Sequence, residues 1–206
     1  MSVSINYIQQ VLQEKFPQAK IEVTDTVGDG NHIEVAMIDD IFIGKSKLER
    51  HKLVYDALGS IVGNEIHALA LETKTLSEDT PTYQPNTTTP KTVELTNDIL
   101  KKIDMAVHKY NVVLFMKGTK DMPMCGFSAT TVGILQNLNV DFLDVDVMAN
   151  YEIRENIKVY SNWPTIPQLY IKGNFIGGCD IIKEMYLNQE LQQLLTANNI
   201  TFKPNV

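Results

Sequence analysis

The chain has 206 residues, 44% of them hydrophobic and 8% aromatic, and a formal net charge of -7. Such a balance is expected of a soluble globular protein with one domain or two small ones, each large enough to bury a core. No apolar run reaches the roughly 18 to 20 residues that a bilayer crossing needs. The opening MSVSINYIQQVLQEKF carries neither a secretory signal nor the Arg-rich bias of a transit peptide, so a cytoplasmic compartment is expected. Residues 1–79 hold 7 Lys/Arg against 13 Asp/Glu, an acidic half that repels phosphate backbones and argues against nucleic acid.

INYIQQVLQEKF spaces Ile5, Ile8, Val11, Leu12 and Phe16 at helical intervals. AKIEVTDT and HIEVAMI alternate as strands about the turn VGDGN. SKLERHKLVYDALGSIV predicts a second helix, with Ser46 as N-cap and Glu49 three residues on, the spacing of a capping box. IHALALETKT closes as a strand, giving the order α-β-β-α-β, an α+β layer with helices on one sheet face. Next, SEDTPTYQPNTTTPKT (77–92) holds three prolines and six threonines and almost nothing apolar, the composition of a linker. About 15 such residues span roughly 20 Å, which gives tethered partners an effective concentration on the order of millimolar. The expected division is a first domain over 1–78, a flexible linker over 79–92 and a second domain over 93–206.

Beyond the linker, DILKKIDMAVHKY reads as a helix and VVLFMKG as a buried strand. GFSATTVGILQNL then predicts a helix, DFLDVDV a strand and YEIRENIKVYS a helix. The strands PQLYI and NFIGG follow, then one helix over DIIKEMYLNQELQQLL. This alternation is the thioredoxin-type α/β order, and Cys125 stands at its first strand-to-helix junction, with Ser128 three residues on.

A thiol at a helix N-terminus faces free N–H groups and the positive end of the helix dipole, which favour the thiolate, and Lys117 could add a second positive charge. The competing reading is a buried structural cysteine, against which Gly126 and Ser128 suit an exposed turn better than a core. Without a second cysteine at 128, Cys125 cannot close a Cys-x-x-Cys disulfide. It can form a mixed disulfide with a small thiol, or ligate iron. Cys125 and Cys179 are the only cysteines, whereas an all-cysteine iron–sulfur site needs four thiolates. One copy would have to borrow ligands from a second chain, a small thiol or histidines. Of the four histidines, His108 reads as a helix-surface residue and His51 as structural within its helix. His32 after the turn and His67 opening a strand are by themselves only a weak metal signal.

KGT, CGFS, NWPTIPQLYI and GGCDI, in that order and spacing, resemble the CGFS-type monothiol glutaredoxins over about residues 95–195. The resemblance implies Cys125 as active thiol and cluster ligand, and Lys117, Arg154, Lys158, Ile166, Cys179 and Asp180 as the glutathione site. It also implies a cis proline at Pro167 and a [2Fe–2S] cluster bridged between two protomers by two cysteines and two glutathione thiolates. Charge agrees: glutathione has two carboxylates, one suited to Lys117, Arg154 and Lys158 and the other to the N–H groups of Cys179 and Asp180. Taken alone, Arg154 and Lys158 read as solvated surface charges, and Cys179 as a small packing residue.

VTDTVGDGNHIEV, IFIGKSKLERHKLVYDAL and IHALALETKT resemble the BolA family over roughly residues 3–78. That implies a KH-like fold in which His67, and less securely His32 in its short loop, ligate a cluster shared with a glutaredoxin. No Gly-x-x-Gly loop is present to clamp a nucleic-acid backbone. The two resemblances together imply a fusion that binds and transfers a glutathione-ligated [2Fe–2S] cluster in iron–sulfur assembly or iron homeostasis, with cluster donor and recipient proteins as partners. Histidine ligation would raise the cluster's potential and make binding pH-sensitive. Two alternatives use the same residues: a glutathione-dependent oxidoreductase acting through Cys125, and a regulatory adaptor switched by the cluster.

Overall fold

The computed structural model describes residues 4–66, 68–76 and 98–203, and the chain divides into two compact units, residues 1–86 and 87–206. The segment expected as a linker, 79–92, and His67 lie outside the described residues.

In the first unit, helix α1 (Ile5–Lys15) starts at Ser4, whose side chain accepts from the Tyr7 N–H, and buries Ile8 and Leu12. Strands β1 (Lys20–Asp25) and β2 (His32–Ile38) pair antiparallel. Strand β3 (Ala68–Lys74) lies parallel to β2, so the sheet order is β1-β2-β3. Along β2 the even-spaced Ile33, Val35 and Met37 are buried while His32 and Glu34 face out, so one sheet face carries the core. Helix α2 (Lys47–Leu58) has the expected capping box in full: Ser46 accepts from the Glu49 N–H, and Glu49 accepts from the Ser46 N–H. Such caps contribute about 1 kcal/mol. The helix stops short of the expected Val62 because Gly59 turns to φ +54°. A short irregular turn, α3 (Ile61–Asn64), follows, with Val62 at ψ 123° and Gly63 at φ 94° outside helical geometry.

In the second unit, β4 (Val112–Met116) is central, parallel to β5 (Leu143–Asp146) and antiparallel to β6 (Gln168–Ile171), which pairs antiparallel with β7 (Asn174–Gly177). The order is β5-β4-β6-β7, a mixed four-stranded sheet with the thioredoxin topology. All five residues of β4 are buried, as expected of a strand covered on both faces. Val113 and Phe115 join Tyr170 of β6 in a core with α4 (Asp98–Lys109) and α6 (Tyr151–Ser161). On the other side α5 (Gly126–Asn137) packs against α7 (Cys179–Leu187). Tyr160 ties α6 to α4, donating to Asp104 at 2.8 Å. The expected last helix is two: Gln189 sits at φ +63°, and α8 (Glu190–Ala197) begins after it. An interior left-handed residue cannot continue an α-helix, and nothing local in the sequence marks this one.

His51 packs inside the first unit at 1% exposure, edge-on to Tyr55. Burial pushes its pKa down to about 3, and the nearby Lys47 and Arg50 charges push the same way. The unfolded imidazole binds a proton below about pH 6.5, whereas the buried one stays neutral. Stability of this unit therefore falls as pH drops from about 6.5 toward 3, by up to about 1.4 kcal/mol per unit. The expected outcome is that the Val54 and Leu58 amides lose about 2 kcal/mol of exchange protection between pH 7 and pH 5. His51→Gln should flatten that slope.

Candidate functional site

The strand register brings three chain segments to one end of the second unit's sheet. Phe115 pairs with Gln168, Met116 with Asp146, and Leu169 with Gly177. Lys117, the Ile166–Pro167 peptide and the start of α7 therefore emerge at the same edge, beyond the carboxyl ends of the parallel strands. This is where α/β sheets place ligands.

Between β4 and α5 the chain makes a tight loop. Met124 N–H returns to the Lys117 carbonyl at 2.9 Å, and Gly118 bridges to Pro123. Gly118 is at φ +80°, and a Cβ there would lie 2.3 Å from the Met122 carbonyl oxygen, so only glycine fits. Two carboxylates of β5 hold the loop from beside it: Asp146 accepts the Gly118 N–H and Asp144 the Lys120 N–H, both at 2.9 Å. The sequence pattern identified these aspartates only as strand residues; a bond spanning 28 positions leaves no local signal.

The loop delivers Cys125 to the N-cap of α5, with extended backbone at φ -157° and ψ 150°. Its side chain is partly exposed, its Sγ 3.7 Å from the Ser128 hydroxyl. Ser128 is fully buried, and its Oγ also accepts the Lys117 N–H at 3.1 Å. The position where a dithiol site would hold a second sulfur thus holds a hydroxyl with a structural job. Beside the thiol, a Cβ added to Gly126 would meet nothing within 4 Å, so that flank is open.

Across from it, the Ile166–Pro167 peptide is cis. The buried Gln168 side chain donates to the carbonyls of Trp163 and Thr165, holding this loop against the sheet. Trp163 stands edge-on to Phe175 at 5.4 Å, and Ile166 packs against the same core. Gly178, the N-cap of α7, is pressed close: a Cβ there would be 3.3 Å from the Trp163 ring nitrogen and 3.5 Å from the Pro167 carbonyl. Cys179 and Asp180 open the helix. Burial pushes the Cys179 thiol up to about 11; a bond with Thr131 opposes this, and the nearby Asp180 and Cys125 add to it. Cys179 is thus a protonated packing thiol whose backbone, not its sulfur, is presented at the helix start.

Arg154 and Lys158 lie one turn apart on α6. The Arg154 guanidinium reaches Met148, just beyond β5, at 4.0 Å, which sets it toward the end of the sheet that bears Lys117. Lys158 makes a two-pronged pair with Glu155, at 3.0 and 3.1 Å. Sequence reasoning passed over Glu155, although its i,i+3 spacing to Lys158 is a readable signal.

In the first unit, His32 begins β2, is exposed, and has its Cα partner in Ala68. Its Nδ1 meets the Asp29 carboxylate at 2.8 Å. Asp29 also accepts the Asn31 and His32 N–H groups, and these bonds, the Asn31 one foremost, hold its carboxyl below the usual range. A carboxylate on Nδ1 leaves Nε2 as the nitrogen available to a ligand. His67 is outside the described residues, so the pairing expected of it with His32 has no geometry. His108 is exposed, as expected, with Nδ1 on the Asp104 carbonyl and its ring over Gly173. Among the described residues, no group of three or more His, Cys, Asp or Glu could hold a metal ion, and no helix is long and apolar enough to cross a membrane.

The family model for BolA-like proteins matches residues 10–78, and that for glutaredoxins matches residues 112–176. A probable monothiol glutaredoxin 2 of Rickettsia typhi is 56% identical over 99 residues, 48% of this chain and 89% of that protein. Chloroplastic monothiol glutaredoxin-S14 of Arabidopsis thaliana is 54% identical over 99 residues, 48% of this chain and 57% of the relative. The solution structure of reduced poplar apo GrxS14 is 51% identical over 48% of this chain and 90% of its own, with a TM-score of 0.44. With its CGFS site on a thioredoxin fold and a BolA-like unit ahead of it, the chain belongs to the monothiol glutaredoxin family as a BolA–glutaredoxin fusion.

Proposed function

We propose that this chain binds a glutathione-ligated [2Fe–2S] cluster and passes it to recipient proteins, in iron–sulfur assembly or iron homeostasis. The observation that carries this reading is the isolation of the Cys125 thiol. Its neighbour at 128 is a buried hydroxyl, and Cys179 is buried and held protonated. A lone thiolate cannot close a Cys-x-x-Cys disulfide, and it is a serviceable iron ligand.

The donor set fits a cluster carried as cargo. Cys125 would supply one thiolate on the open flank beside Gly126, and glutathione the second. Lys117, Arg154 and Lys158 would take one glutathione carboxylate, and the N–H groups of Cys179 and Asp180 the other, where the helix dipole favours an anion. Ile166, held extended before Pro167, would pair with the peptide backbone of glutathione. The remaining iron would be held by His67 and His32, with Asp29 fixing the His32 ring, or by a second chain in a cluster-bridged homodimer.

Anaerobic reconstitution with iron, sulfide and glutathione, followed by visible absorption and circular dichroism, tests this. The intact chain should gain a cluster, Cys125→Ser should lose it, and Cys179→Ser should keep it. His67→Ala should change the dichroism, and His32→Ala should change it less. A spectrum unmoved by His67→Ala would confine the cluster to the glutaredoxin half. Failure to bind a cluster, with fast removal of glutathione from proteins by the colourless chain, would replace the carrier by an oxidoreductase. Separately, iodoacetamide on the native apo-protein at pH 8 should label Cys125, and Cys179 only after unfolding. Equal labelling of both would show that Cys179 is not secluded.

A further inference from the structure

We infer that Glu155 is a built-in competitor for the ligand carboxylate and sets how tightly this chain holds glutathione. The inference rests on the reading that Arg154 and Lys158 help bind that carboxylate. Both Glu155 oxygens lie on Lys158 Nζ, at 3.0 and 3.1 Å. Its Oε1 is also 3.9 Å from Arg154 Nε. Lys158 is 22% exposed and Arg154 33%, against 41% for Glu155, so the carboxylate is the more exposed partner of both cations.

Chemically, Glu155 offers these cations the same group that the tripeptide would offer: a carboxylate presenting two oxygens. A ligand carboxylate arriving at Lys158 must displace Glu155 or share the ammonium with it. Either way, part of the attraction is already spent within the helix, and the net charge facing the ligand from Lys117, Arg154, Lys158 and Glu155 falls from +3 to +2. The pair is partly exposed, so its strength is modest and screened by salt. Glu155 therefore tunes affinity and does not abolish binding, a useful property where a bound thiol must also be given up.

The experiment titrates the full-length apo-protein with reduced glutathione, following amide chemical shifts, at about 20 mM and 500 mM salt. Glu155→Gln should bind about two- to fivefold more tightly than wild type at low salt, with the gain shrinking at high salt. Glu152→Gln removes an equal charge from the same helix at an exposed position and should bind as wild type does. Of the two monoamides of glutathione, one should lose the Glu155→Gln gain, because its amide no longer competes for Lys158. Equal or weaker binding by Glu155→Gln, an equal gain in Glu152→Gln, or a gain kept by both monoamides would each overturn the inference. Lys158→Gln separates the two levels. If it leaves glutathione affinity unchanged, the placement of the ligand carboxylate on α6 fails. If it weakens binding while Glu155→Gln gains nothing, only the role of Glu155 fails.

Discussion

The Ser128 hydroxyl, fully buried, accepts the Lys117 amide at 3.1 Å and lies 3.7 Å from the Cys125 sulfur. A buried polar group without partners costs about 1–3 kcal/mol, so this oxygen is committed to the loop that it braces. Two features of the site depend on that commitment. It joins the end of β4 to the first turn of α5, which fixes where the thiol stands. It also puts a hydroxyl where the second sulfur of a Cys-x-x-Cys pair would stand to resolve a mixed disulfide. Structure and chemical restriction come from the same atom.

Around that bond the site is assembled by tertiary contacts more than by local propensity. Asp144 and Asp146 reach across from β5 to hold the amides of Lys120 and Gly118. Gln168 donates to the Trp163 and Thr165 carbonyls, so that the loop before the cis proline keeps its course. The close approach of Gly178 to Trp163 and Pro167 brings the N-terminus of α7 to the same edge. Each of these groups is spent on positioning. In the proposed reading the chemistry is left to one partly exposed sulfur, three cations and a helix start.

Much of this was legible from residue order. Period-two alternation placed β2 at His32–Ile38, and the Ser46–Glu49 spacing announced a capping box that the structure forms. The CGFS and GGCDI stretches placed Cys125 and Cys179 at the starts of two helices. What escaped was non-local or conformational. Gly59 ends α2 early, a C-cap glycine that the residue order does offer, whereas Gln189 breaks a run that reads as one helix with no short pattern behind its positive φ. The Asp144 and Asp146 bonds join residues 24 and 28 positions apart. Asp29 and Glu155, by contrast, sit three residues from the side chains that they hold, and short-range spacing could have found both.

Fusing a BolA-like unit to a monothiol glutaredoxin puts histidines on the same chain as a thiol that would need further ligands to hold the proposed cluster. The proposed consequence is mixed thiolate and imidazole ligation of one cluster. The most direct measurement is pulsed electron paramagnetic resonance on the reduced, reconstituted cluster, comparing natural-abundance protein with protein labelled at histidine with nitrogen-15. The account predicts strongly coupled nitrogen signals that change isotope with the label. A spectrum indifferent to histidine labelling would contradict it and leave the cluster to cysteine and glutathione alone.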